Sequence, residues 1–158
     1  MGSNRRFQYA LQPMLLTRQW ELDRLRSELG ELNAAWLAQE SAVSALLQRQ
    51  QVSMQEWGGL GGAGAPLSVD RFVMLARYID DCGSQARQAQ EALDGLTQRR
   101  DALTDRLHQA QRALDAVQEH REKMQLRFLQ DRISLDFKAA DDQWGMSRQT
   151  GIAYDSES

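Results

Sequence analysis

Few residues in this sequence are of the types that do covalent or metal chemistry, and their spacing keeps them apart. His108 and His120 are the two histidines. On a helix they fall near one face but more than three turns apart, too far to share a metal ion, and no carboxylate–histidine cluster surrounds either. Both are expected as exposed helix residues. Cys82 is the single cysteine, so no internal disulfide can form. It falls on a position where a buried thiol acts as a small hydrophobe. The run Gly58-Gly59-Leu60-Gly61-Gly62-Ala63-Gly64-Ala65-Pro66 invites comparison with a phosphate-cradling loop. Such a loop needs a Lys-Ser/Thr pair opening the next helix, and Ala65-Pro66-Leu67 stands there instead. No Gly-x-Ser-x-Gly, His-Glu-x-x-His or paired-cysteine motif occurs. The expectation is no catalytic, cofactor-binding or metal site, hence no enzyme, and a protein that works by binding.

The elements that carry these residues must be helices. Hydrophobic content is 42% but aromatic content only 7%, with two prolines in 158 residues. Gln, Leu, Ala, Arg, Asp and Glu fill most of the chain, a composition that favours long helices over sheets. The net charge of −3 is built from interspersed signs. That argues against a nucleic-acid or anionic-membrane surface, since either needs positive charge gathered on one face. Arginine supplies nearly all of the 19 basic residues, and its planar fork suits protein contacts. No apolar run approaches the ~18 residues of a membrane span. Met1-Gly2-Ser3-Asn4-Arg5-Arg6 is followed by Phe7-Gln8-Tyr9-Ala10-Leu11-Gln12, too polar for a signal peptide's apolar region. A cytoplasmic location without direct membrane insertion follows as an expectation.

Periodicity sets the architecture. In the first segment, Leu15, Leu22, Leu29, Trp36, Val43, Gln50 and Trp57 recur every seventh residue, interleaved with Leu11, Arg18, Leu25, Leu32, Gln39, Leu46 and Ser53. This 3.5-residue period is a coiled-coil seam. The polar members Gln39, Gln50 and Ser53 predict that it loosens towards the turn. The second segment repeats without a stutter through Phe72, Ile79, Ala86, Leu93, Arg100, Leu107, Leu114, Arg121, Phe128 and Leu135, interleaved with Leu75, Cys82, Ala89, Leu96, Leu103, Ala110, Val117, Met124, Asp131 and Lys138, sixteen of the twenty apolar. Cys82, Ala86 and Ala89 are expected opposite Trp36 or Trp57, small against large. The glycines at 58–64 stop both helices, and Ser68 with Asp70 starts the second.

The predicted fold is all-α: two long antiparallel helices in a coiled-coil hairpin, helix two the longer. The expected division is 1–57 for the N-terminal region and helix one, 58–67 for the hinge, 68–142 for helix two, and 143–158 for a polar, disordered tail. Equal lengths pair back from the turn, so helix two overhangs from about residue 119. Met124, Leu126, Phe128, Leu129, Ile133, Leu135 and Phe137 lie on that overhang, with nothing in the first segment left to cover them. An apolar extension of this kind marks an intermolecular contact.

This plan resembles the small coiled-coil stalk proteins of type III export, the FliJ proteins of the flagellum and the YscO-type proteins of injectisomes. The resemblance spans about Leu11 to Arg148. It rests on Leu15-Leu16-x-Arg18-x-x-Glu21-Leu22, on Gly62-Ala63-Gly64-Ala65 leading into Phe72-Val73-x-Leu75-x-x-Tyr78-Ile79, and on Leu135-Asp136-x-Lys138-x-x-Asp141-Asp142. It implies a non-catalytic central stalk that binds and stimulates a hexameric export ATPase. It also implies contact with the cytoplasmic domain of an export-gate membrane protein and with substrate chaperones, peripheral to a membrane apparatus. Carried onto this chain, Leu15, Arg18, Met124, Arg127, Phe128 and Leu135 would engage the ATPase, and Phe72, Leu75 and Tyr78 the gate or chaperones. The chain departs from the family in its longer glycine hinge and in an overhang with little net positive charge. Two other readings stand beside the stalk: a scaffold or tether dimerising through the overhang, and an export chaperone shielding clients on apolar helix surface.

Overall fold

The structure is a computed structural model that describes residues 5–62, 64, 66 and 68–154, with side chains described as far as Gln149. Parts of the expected hinge (63, 65, 67) and the ends of the chain (1–4, 155–158) lie outside the described residues. There are two helices, α1 (Gln12–Gly59) and the longer α2 (Val69–Tyr154), and no strand among the described residues. Contacts divide the chain into two compact units, each holding part of both helices: Glu21–Gln109, and the residues up to Trp20 with those from Ala110 onward.

In the Glu21–Gln109 unit the helices run antiparallel in one register. Trp36 meets Thr97, Gln39 meets Ala89, Gln50 meets Ile79 and Trp57 meets Phe72. The heptad positions are the ones withdrawn from solvent: Leu22, Leu25, Val43 and Ser53 on α1, and Cys82, Ala86, Leu93 and Leu103 on α2, are buried. The polar positions find partners across the seam. Trp36 Nε1 donates to Thr97 Oγ1 at 2.9 Å, and Arg100 lies over the Trp36 ring at 4.6 Å. Gln39 Nε2 donates to the Ala89 carbonyl at 2.9 Å and Gln50 Nε2 to the Ile79 carbonyl at 3.4 Å. Of the small residues of α2, Ala89 lies at Gln39 and Gly83 at Gln50. With only Ala or Gly side chains in the way, the amides reach the second lone pair of helical carbonyls. Gly83 makes room for this, because a Cβ there would stand 2.7 Å from Gln50 Nε2. Among the described residues no buried side-chain nitrogen or oxygen lacks a hydrogen-bond partner, as a buried polar seam requires.

At the turn, α1 unwinds through tight bonds from Leu60 N to the Trp57 carbonyl (3.2 Å) and from Gly62 N to the Gly59 carbonyl (3.3 Å). Gly61 and Gly64 take φ values of 105° and 75°, a region that residues with a Cβ rarely enter. Ser68 then caps α2: its Oγ accepts from Arg71 N at 3.4 Å, and its carbonyl accepts from Phe72 N at 3.0 Å. Asp70 in the first turn complements the helix dipole. Arg71 reaches across to Glu56 at 2.6 Å and fastens the tip.

In the other unit the N-terminal turns of α1 lie against α2, with Leu15, Ala110 and Leu114 buried. Pro13 is the second helical residue, where its missing N–H would have had no helical partner. Beyond residue 142 the polar composition predicts disorder, yet α2 continues to Tyr154. Nothing in that stretch forces a stop: there is no proline, and extending a formed helix is far easier than starting one.

Candidate protein-binding surfaces

The first surface lies in the unit of both chain ends. From Glu119 to Gln149, Phe128 is the one side chain on α2 that is not exposed. The exposed apolar residues sort onto two faces. Met124 and Leu135 continue the seam, with Phe128 between them. Leu126, Leu129, Ile133, Phe137 and Trp144 recur at intervals of three, four and seven, which places them roughly 170° around the helix from the seam face at 3.6 residues per turn. Leu135 is 67% and Trp144 70% exposed. Two nearly opposite apolar faces on one helix have no explanation inside a two-helix seam, which needs one stripe.

The sequence-predicted residues divide accordingly. Met124, Arg127 and Leu135 are exposed on α2. Leu15 is only 2% exposed and belongs to the seam, so it supports this surface and offers no area to a partner. Arg18 is half-buried on α1 in the same unit.

Phe128 is half-buried because the N-terminal residues lie against it. Residues 5–9 belong to no helix, and Phe7 and Tyr9 cover part of α2 that helical counting leaves bare. Tyr9 Oη is hydrogen-bonded to His120 Nδ1 at 2.6 Å, with the rings 5.7 Å apart. Phe7 lies against Phe128 with centroids 5.6 Å apart. Outside a helix a chain can advance up to about 3.3 Å per residue against about 1.5 Å within one, so a few N-terminal residues reach past two turns of α2. The sequence did carry a signal. Phe7 and Tyr9 alternate with the exposed Arg6, Gln8 and Ala10, the period-two pattern of an extended segment laid on a surface.

The second surface is at the tip of the Glu21–Gln109 unit. Phe72 is half-buried because it stacks on Trp57 at 4.7 Å, and Leu75 is half-buried on the seam. Tyr78 is 46% exposed. Its hydrogen bond to Cys82, one turn on, pushes the phenol above its ordinary pKa, opposed by the nearby positive charge of Arg49. A groove of about 630 Å³ beside Phe72 is lined by Met54, Trp57, Ala76, Ile79, Asp80 and Arg87, among others. A smaller one of about 380 Å³ runs past Val52, Ser53 and Tyr78. Val69, Val73 and Met74 add exposed apolar area at the same tip.

A paired-helix seam, a glycine turn and an apolar length of the second helix left outside the seam are now in place. The family model for the flagellar FliJ protein matches residues 7–147, nearly the whole chain. The chain belongs to the FliJ family. The family is one of coiled-coil components of flagellar protein export, and the FliJ match runs from Phe7 of the N-terminal segment through the seam and most of the overhang. No curated protein and no solved structure matches the chain. Among the described residues, no helix is long and apolar enough to cross a membrane, and no group of three or more His, Cys, Asp or Glu is placed to hold a metal ion.

Proposed function

We propose that this FliJ-family chain is a non-catalytic stalk whose α2 overhang is enclosed by a hexameric export ATPase, while its tip contacts the export gate or substrate chaperones. The observation that carries this reading is the apolar surface on two nearly opposite faces of the overhang, Met124 and Leu135 on one and Leu126, Leu129, Ile133, Phe137 and Trp144 on the other. A helix docked side-on, or paired with a second copy, needs one apolar stripe. A helix surrounded by protein loses water on every side and gains from apolar groups all round. Arg127 and Arg132 stand exposed between these faces and would meet carboxylates of the surrounding subunits. The tip grooves, with Tyr78 at the rim, fit a separate partner. In this reading the protein works on the cytoplasmic side, held to the membrane apparatus through its partners.

The test places one charge on each face. Ile133→Asp and Leu135→Asp are both exposed substitutions, so unfolding should shift by no more than about 0.5 kcal/mol in either. Enclosure predicts that each lowers affinity for the export ATPase at least tenfold in a binding titration. Loss with only one of the two would mean side-on docking.

A further inference from the structure

We propose that the non-helical N-terminal segment is an autoinhibitory strap, holding the root of the overhang's seam face closed until a partner displaces it. The proposal rests on the overhang being the ATPase-binding surface. Its basis is the pattern of cover. The strap touches α2 through two aromatic side chains, Tyr9 on His120 and Phe7 on Phe128. Met124 sits one turn from each of those α2 residues and is 37% exposed, the least of the exposed apolar side chains on the overhang. Beyond Phe128 the α2 side chains are all exposed as far as Gln149. The strap thus closes the root of the overhang and leaves its far part open.

The cover is built to leave. A segment packed for good would be tied by backbone hydrogen bonds or continued as helix. Here residues 5–9 belong to neither helix, and the backbone bond that anchors the segment is at its end, from Gln12 N to the Tyr9 carbonyl at 3.1 Å. Its intervening side chains Arg6 and Gln8 are exposed, so release strands no buried polar group. Aromatic contacts exchange readily for other apolar contacts, and a partner that offers an apolar wall to Phe128 replaces what Phe7 gave. A closed fraction of about nine-tenths reduces apparent affinity about tenfold, since only the open form binds.

The test uses the full chain in four forms: wild type, Phe7→Ala, Phe7→Ala with Tyr9→Ala, and Leu135→Asp. Affinity for the export ATPase should rise about five- to tenfold in the two strap variants and fall in Leu135→Asp. Strap variants that bind equally or more weakly, with Leu135→Asp still defective, would overturn the strap and leave the overhang as the binding surface. A second readout needs no partner. Met124→Cys should react with a maleimide several-fold faster in the Phe7→Ala, Tyr9→Ala background than with the strap intact, Cys82 being buried. An unchanged rate would overturn the strap on its own, whatever the ATPase does. Wild-type affinity in Leu135→Asp would instead remove the overhang reading, and with it the inhibitory role.

Discussion

At the residue scale, the polar members of the seam repay the closest reading. Gln39 and Gln50 bond to backbone carbonyls of α2, and such bonds fix one register because a shift of either helix leaves a half-buried amide without its acceptor. Gly83 is the counterpart of Gln50. Alanine there gains helix propensity, roughly 1 kcal/mol, but its Cβ would push the Gln50 amide off its acceptor, losing a bond worth about as much. Gly95, also within α2, has nothing within 4 Å of where a Cβ would stand. Urea denaturation should find Gly95→Ala more stable by about 0.5–1 kcal/mol and Gly83→Ala without a comparable gain. A Gly83→Ala gain equal to that of Gly95→Ala would mean the Gln50 contact contributes nothing to the seam. These roles could not be read from the sequence. A polar residue at a heptad position looks like a weak point until the opposing backbone is seen, and only the small side chains at Ala89 and Gly83 expose that backbone.

At the scale of elements, α2 carries both its half of the seam and the overhang. Leu25 is fully buried, whereas Leu126 is 57% exposed. Leu25→Ala should cost about 2–5 kcal/mol in denaturant unfolding and Leu126→Ala less than about 0.5 kcal/mol. Equal costs would mean that the overhang is packed against something in the free protein. The helices, their antiparallel order and the seam itself were legible in the sequence, because a heptad repeat ties burial to residue number over many turns. The cover by residues 5–9 was not, since counting every residue at helical rise hides a segment that is not helical. The continuation of α2 past residue 142 escaped for a related reason. Composition reports whether a segment can bury itself, but a helix already under way needs little from the segment that prolongs it. Of the proposed contact residues, Met124, Arg127, Leu135 and Tyr78 are exposed, Arg18, Phe72, Leu75 and Phe128 are half-buried, and Leu15 is buried. Heptad position alone does not separate a residue that faces its own partner helix from one that waits for another protein.

At the scale of the molecule, FliJ-family membership and an apolar overhang point to work done on partners. A stalk that one ring encloses contributes binding free energy to the assembled ring and none to its separate subunits. By mass action it must favour assembly most where subunits are dilute. The measurement that tests this most directly is ATP turnover by the cognate flagellar export ATPase, with and without the full chain, over a concentration series of the ATPase. The account predicts stimulation that is largest at low ATPase concentration and fades where rings form unaided. No change at any concentration, with the chain eluting as a stable dimer, would contradict it and assign the overhang to self-association.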